Sequence, residues 1–371
     1  MDHRSIVAPS LAQARLRIGV IGCGLIAQVM HLHYLRELSD RFQIAALCDL
    51  SRTVVDRIGD AYGVSRRFTD WAALLQEPLD AVMVLTSGSH EPIVVAAAQA
   101  GRHIFVEKPI ALSEAEGQAM VAAGQKAGVR IMVGYMKRYD PAVERMAEEL
   151  RGFSPLRFAS STTAEHPLKW YVGHYPIVRG TDIDAQTVSA SQADDEARVT
   201  SAIGIGDPTL RSAYRHALLD SMIHDINLMR GLLGDPIRVR FANVTQAAVS
   251  LHIEFPQTSA SMAWVNLQDG VARYRQEFAF FSPKGRATLV FPSPFLRNAP
   301  TQLVLEGGSP DSARSWRTDE TVSYEEAFKR ELLEFYDCVV SDREPRTTAA
   351  EATRDVALCQ AIVREHLAAE P

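Results

Sequence analysis

Arg17-Ile18-Gly19-Val20-Ile21-Gly22-Cys23-Gly24-Leu25-Ile26-Ala27 is an apolar strand that runs straight into a G-x-G-x-x-A turn, after which Val29, Leu32 and Leu35 recur at helical spacing. Glycines at 22 and 24 permit a tight turn and a close backbone approach, so the free N–H groups of Leu25 and Ile26 at the helix start can face a pyrophosphate. Glycine pairs are common in turns, so the flanks decide. Residues 43–48 read as a second strand ending in Asp49, 22 residues after Ala27, close to the ~20 expected of an acid that holds a ribose diol. Asp49 could instead cap the helix expected at 53–62, although Ser51 is also placed to do that.

The same alternation continues outward. Residues 81–85 read as a strand, 90–100 as a helix ended by Gly101, and 103–106 as a short β-branched and aromatic strand. That strand delivers Glu107 and Lys108 to its carboxyl end, where open α/β sheets bind ligands. Pro109 cannot extend it, having no N–H and a fixed φ. Taken alone, Glu107 and Lys108 would be a surface ion pair at a turn. Ser113-x-x-Glu116 is a capping box for a helix ending near Gly128, followed by a strand at 130–134 and a helix at 141–150. Strands and helices in turn imply a parallel sheet with right-handed crossovers.

Beyond residue 152 the period changes. Alternating runs at 156–163, 237–250, 251–255, 259–267, 274–281 and 287–291 predict an antiparallel sheet with one covered face. Residues 165–208 are polar and aperiodic, which predicts a mobile segment covering the substrate. Helical periodicity returns at 214–233, 324–340 and 349–367. The expected fold class is α/β: a doubly wound Rossmann domain at 16–150, then a domain at 151–371 with a large open, mostly antiparallel sheet.

The 371 residues, 47% hydrophobic and 23% charged, suit two domains of ordinary size. A net charge of −6 leaves no electrostatic footprint for nucleic acid or an anionic membrane, and no apolar run nears the ~20 residues of a membrane helix. Residues 1–15 lack the charged start and apolar core of a signal peptide and read as a flexible tail. Cys23, Cys48, Cys338 and Cys359 show no CxxC or metal-ligand spacing, so they read as buried hydrophobes in a reducing compartment. The expectation is a cytoplasmic protein without nucleic-acid or membrane partners.

With these residues in order, the chain resembles the glucose-fructose oxidoreductase, inositol dehydrogenase and rhizopine-catabolism (Gfo/Idh/MocA) family from about Arg15 onward. The likeness rests on Gly22-x-Gly24-x-x-Ala27, Asp49, Gly101-x-His103-x-x-x-Glu107-Lys108-Pro109, Val133-Gly-Tyr-Met-Lys-Arg-Tyr-Asp-Pro141 and Asp220-x-x-x-His224-Asp225-Ile226. It departs at Thr86-Ser-Gly-Ser-His90, which lacks a common proline, at Tyr214-Arg-His216 and Met222, where glycines are common, and in the long polar segment.

The resemblance implies hydride transfer between a nicotinamide cofactor and a secondary alcohol or ketone of a sugar, nucleotide-linked sugar, polyol or cyclitol. It implies Lys108 as the catalytic lysine, His224 as acid/base and Asp220 as its partner. Gly22, Gly24, Leu25, Ile26, Asp49, Thr86, His90, Glu107 and Lys108 would hold the cofactor, while Arg138, Tyr171 and His174 would join Lys108, Asp220 and His224 around the substrate. Lys137, Tyr139, Lys169 and Tyr175 are further pocket candidates, and Arg215 and His216 could meet an anionic substituent. Asp49 favours NAD over NADP, because a carboxylate accepts ribose hydroxyls and repels a 2′-phosphate; Arg52 argues the other way. Asp225 points away from Asp220 and His224 on a helix, so no metal is expected. A homo-oligomer, dimer or tetramer, would form through the open sheet. Retained NAD used for transient oxidation, as in a glycosidase or epimerase, and a noncatalytic cofactor sensor are the alternatives.

Overall fold

A computed structural model describes residues 15–267 and 273–369. All but the last residue of the expected tail at 1–15 lies outside the described residues. Strands β1 (Leu16–Ile21), β2 (Phe42–Cys48), β3 (Arg67–Phe68), β4 (Ala81–Val84), β5 (His103–Glu107) and β6 (Ile131–Gly134) form one sheet in the order β3-β2-β1-β4-β5-β6. All neighbours in it are parallel. β4 is buried along its whole length, as expected of a strand covered by helices on both faces. The order reverses between β1 and β4, and that reversal opens a crevice at the carboxyl ends of the strands.

Local chemistry sets the helix ends. Ser51 caps helix Arg52–Tyr62 by accepting from the Val54 N–H, and Gly63 closes it at φ 68°. Ser113 accepts from the Glu116 N–H at the head of helix Glu114–Ala127, but the Glu116 carboxylate accepts from Leu112 N, one residue further back than in a capping box.

The second sheet contains β7 (Phe158–Glu165), β8 (Arg238–Val244), β9 (Ala248–Phe255), β10 (Thr258–Asn266), β11 (Arg275–Ser282), β12 (Gly285–Phe291), β13 (Gln302–Gly308) and β14 (Ser315–Thr321), in the order β14-β13-β12-β11-β7-β10-β9-β8. Its pairs are antiparallel apart from β7 with β10. The run expected at 237–250 is two strands, because a turn at Thr245 returns the chain onto itself. β13 and β14 escape the pattern reading. β14 is an edge strand wetted on both faces, so it carries no apolar period. Helix Ala327–Val340 returns to the first sheet, where Phe328, Leu332, Phe335 and Tyr336 pack with Ile18, Val20 and Phe105. Among the described residues, no helix is long and apolar enough to cross a membrane.

The expected aperiodic cover at 165–208 is corrected by the structure. Residues Ala185–Ile203 form a 19-residue helix capped by Asp184, with only Asp195 and Val199 buried. A helix polar nearly all round has no stripe to reveal it. Charge docks it: Arg198 meets Glu116 (3.2 Å) and Asp195 meets Arg215 (2.6 Å).

Gly22 and Gly24 have different reasons to be glycine. Gly22 sits at φ +94°, and a Cβ there would stand 2.7 Å from Leu85 C and 2.8 Å from Thr86 N, whereas one at Gly24 meets nothing within 4 Å. Gly22→Ala is therefore expected to lose about 1–3 kcal/mol through backbone strain, seen as a lowered thermal midpoint. Gly24→Ala should melt like the parent, and a large drop there would show that the fold itself requires this glycine.

Candidate functional site

The crevice at the strand ends continues into a cleft of about 990 Å³ between the two sheets, with walls that include Gly24, Thr86, Lys108, Lys137, His166, Tyr171, Asp220, His224, Trp264 and Gln276. Its first wall comes from β5. Glu107 ends that strand, buried, with its carboxylate 2.6 Å from the Nε2 of His31, and it accepts the backbone N–H of Lys108 at 3.1 Å. Glu331, buried, stands with His31 and Glu107 in a group whose offered atoms lie within 4.8 Å. Burial, followed by the charge of Glu107, pushes the Glu331 carboxyl well above its ordinary range.

The opposite wall is the helical run of residues 213–233. It begins as wider π turns, Ala213–Met222, and becomes an α-helix at Ile223–Leu233. Lys108 Nζ donates to the Asp220 carboxylate at 2.8 Å and to the Asp220 carbonyl at 2.7 Å. The lysine side chain is 17% exposed and the aspartate 68%. Burial works against the Lys108 charge, but Asp220 outweighs it and holds the lysine above its ordinary value. In return Lys108 pulls the Asp220 carboxyl down. An ammonium has three N–H donors, so one remains for the cleft.

His224 lies edge-on to Tyr135, with ring centroids 6.2 Å apart and its Nδ1 buried without a hydrogen-bond partner. Burial first, then the charges of Lys137 and Lys108, push the imidazole well below its ordinary value. It is a neutral base at neutral pH. Lys137 is itself buried and lowered to about 8, with Asp225 and Glu165 partly opposing the desolvation. Asp225, raised to about 6 by burial, accepts from Thr163 Oγ1 at 2.6 Å and from Gln276 Nε2 at 2.5 Å. It braces the back of the helix rather than facing the cleft.

The dinucleotide end has its own features. The space at Gly24 is open, the Thr86 hydroxyl is buried without a partner, and both residues line the cleft with Leu25 and Ile26. The helix begins at Leu25, so its first N–H groups lack intrahelical acceptors. Open backbone, orphan donors and a hydroxyl fit a pyrophosphate. Asp49 accepts from Cys23 N and Ser51 N, each at 2.9 Å, and so braces the glycine turn; helix capping falls to Ser51. His90 lines the cleft, but its ring nitrogens lie against the Thr86 and Pro109 carbonyls at 2.7 and 3.0 Å, tying two loops together.

Two expectations for the substrate end are corrected. Arg138 is not among the cleft-lining side chains: its guanidinium pairs with Glu351 at 2.7 Å and packs over Gly231, because the short 3-10 turn Met136–Tyr139 sends Lys137 to the cleft and Arg138 between helices Ile223–Leu233 and Ala349–Ala368. His174 is exposed and stacks on Tyr175, with centroids 4.2 Å apart, outside the cleft. Tyr171 does line the cleft, but its hydroxyl donates to the His166 carbonyl at 2.7 Å. Of the further candidates, Arg215 and His216 reach the cleft, whereas Tyr139, Lys169 and Tyr175 do not. Sequence reasoning missed Trp264, Asn266, Tyr274 and Gln276. Their spacing of two, at the end of β10 and at the head of β11, was the available signal.

A family model described as an oxidoreductase family with an NAD-binding Rossmann fold matches residues 16–135. The chain is 25% identical over 354 residues to a myo-inositol 2-dehydrogenase of Thermotoga maritima, covering 91% of this chain and 92% of that one. It is 39% identical over 148 residues to a D-apiose dehydrogenase of Paraburkholderia graminis, a match that spans 39% of each protein. The aldose-aldose oxidoreductase of Caulobacter crescentus, solved with glycerol, superposes with a TM-score of 0.73 at 20% identity over 96% of this chain and 99% of that one.

Because Arg138 and Glu351 are 13% and 15% exposed, Arg138→Ala strands a carboxylate and should cost about 2–3 kcal/mol in chemical denaturation, below the ~3–5 of a fully buried pair. Substrate KM should stay near that of the parent. A raised KM with unchanged stability would return Arg138 to the substrate.

Proposed function

Because the chain belongs to the Gfo/Idh/MocA family of NAD(P)-dependent oxidoreductases, we propose that it transfers hydride between NAD and a secondary alcohol or ketone of a sugar, polyol or cyclitol. The observation that carries this reading is the convergence of Lys108, Asp220 and His224 on one cleft that also reaches the glycine turn. NAD, when bound, supplies the hydride acceptor at its nicotinamide. Gly22 to Ile26 and Thr86 would hold its phosphates, and Asp49 at the end of β2 favours it over NADP.

The protein's own part is proton handling and charge. His224, kept neutral by burial and two nearby lysines, takes the hydroxyl proton of an alcohol substrate. Lys108 offers its remaining N–H to the same oxygen and stabilises the developing alkoxide in a cleft that partly excludes water. Asp220 keeps that lysine charged and aimed. The aromatic and amide groups of Tyr171, Trp264, Tyr274 and Gln276 suit a ring that carries several hydroxyls. The broad eight-stranded sheet, with Phe241 exposed on its β8 edge, is the surface we assign to homo-oligomerisation. The reading is tested by assaying sugars, nucleotide-linked sugars, polyols and cyclitols for nicotinamide absorbance with NAD and with NADP; no turnover across the panel would count against it.

Lys108→Ala and His224→Ala should each lower turnover by ~10²- to 10⁴-fold while NAD still binds. Both act on one transition state, so the double variant should lose less than the product of the single losses. Near-normal turnover in His224→Ala would remove it as the base, and lost NAD binding in Lys108→Ala would make that lysine a cofactor anchor.

The pH profile provides a second check. His224 works as a base only above its lowered pKa, so alcohol oxidation should fall on the acid side as pH drops through that value. Lys137→Met removes a charge that holds the value down, so the acid limb of kcat/KM should move to higher pH. A limb that stays in place would show that Lys137 does not act on the base.

A further inference from the structure

The segment at 173–184 leaves the substrate end of the cleft and crosses the glycine turn. It is clamped there by Gln28, whose amide donates to the Val178 carbonyl at 2.9 Å and accepts the Val178 N–H at 2.8 Å. The same amide donates to the Cys23 carbonyl at 2.8 Å, so one side chain joins the segment to the turn. Tyr175, Ile177 and Val178 pack, as Leu25 and Ile26 do, against the core cluster that contains Val29 and Met30. Gly180 then fits against Ser51, whose hydroxyl would collide with any Cβ placed there. The segment ends with Asp182 at the amino terminus of helix Arg52–Tyr62, where its carboxylate accepts the Thr53 N–H at 2.9 Å and the Ser51 hydroxyl.

Ser51 thus carries a carboxylate on each side: Asp49 on its N–H at 2.9 Å and Asp182 on its hydroxyl. The remaining hydroxyl lone pair caps the helix through Val54 N at 3.0 Å. In this fold the adenosine ribose lies beside the acid that ends β2. A 2′-phosphate there would seek a helix amino terminus, a hydroxyl and a cation. The first two are already engaged, since Asp182 holds Thr53 N and Ser51 Oγ, and the nearby cation Arg52 lies 3.7 Å from the Asp56 carboxylate.

We propose that Asp182 is a specificity-determining residue: it occupies, as a built-in anion, the seat that a cofactor 2′-phosphate would need, and so makes the chain select NAD over NADP. The inference rests on the NAD reading above and assigns its selectivity to a residue 133 positions beyond Asp49, supplied by the segment that leads away from the substrate. The Ser51 hydroxyl and the Thr53 N–H hold the Asp182 carboxyl down to about 2, so it is charged at any working pH. Repulsion of a competing anion, in addition to attraction of the right ligand, is how close analogues are separated.

The test is fluorescence titration of the full chain with NADH and with NADPH, comparing the parent with Asp182→Asn and Asp182→Ala. Thermal melts would accompany the titrations to establish that each variant is folded. The expected result is tighter NADH binding by the parent, and a ratio of the two dissociation constants that shrinks by about tenfold or more in both variants, chiefly through NADPH. Asn keeps the size and much of the hydrogen bonding of Asp, so a change confined to Ala would make Asp182 a mere spacer and overturn the proposal. An unchanged ratio in both variants, with the parent preferring NADH, would overturn this inference alone and leave Asp49 as the selector. A parent that binds NADPH as tightly or more tightly, or binds neither, would overturn the NAD reading and this inference together.

Discussion

The ion pair between Lys108 and Asp220 is the contact on which the two halves of the molecule depend for a working geometry. Lys108 belongs to the end of a parallel strand and Asp220 to a helix that lies 112 residues later in the chain. A mostly buried ammonium without a partner would shed its proton, because desolvation disfavours the charged form. Asp220 prevents this with two acceptors, the carboxylate and the carbonyl, which also fix where the lysine points. Glu107 below and Lys137 beside it extend the charge pattern. His224 takes the opposite state from its neighbours: it is uncharged because burial, and after it the two cations nearby, disfavour a protonated ring.

Most of the first sheet is legible in sequence because its rules are local. A glycine turn needs positive φ at Gly22, a helix needs a side-chain acceptor at Ser51 or Ser113, and a buried strand needs an unbroken apolar run. The second sheet is legible where one face is covered, as in β9, whose burial alternates along its length. Legibility ends at the wetted edge strand β14 and at helix Ala185–Ile203, which buries two side chains in 19 residues. Neither element carries the amphipathic contrast on which period counting relies.

The site divides along the same line. The end of its own strand places Lys108, whereas Asp220 and His224 were picked out by the family resemblance, and the structure brings all three to one cleft. Arg138 and His174 were misplaced because proximity in sequence to pocket residues says nothing about direction on a 3-10 turn or in a loop. Trp264 and Asn266 of β10 share the cleft wall with Tyr274 and Gln276 at the head of β11, and only the pairing of both strands with β7, one on each side, brings them together. Asp182 is illegible for a stronger reason. Its partner Ser51 is 131 residues away, and no local pattern encodes that contact.

How a polar segment holds one path across a cofactor cleft follows from its anchors. Left free, the residues between β7 and helix Ala185–Ile203 would spend conformational entropy on ordering with little apolar burial to offset it. Three tethers divide them into short spans: the Tyr171 hydroxyl on the His166 backbone, the Gln28 amide on both backbone groups of Val178, and Asp182 on Ser51 and Thr53. Closure cost rises only with the logarithm of loop length, so the gain lies less in shortening than in pinning particular backbone atoms. Gln28 is the decisive tether, since it satisfies an N–H and a carbonyl of the segment while bonding the glycine turn. The chain that begins beside the cleft wall at His166 and Tyr171 is thereby carried past the glycine turn to Ser51 on a fixed course.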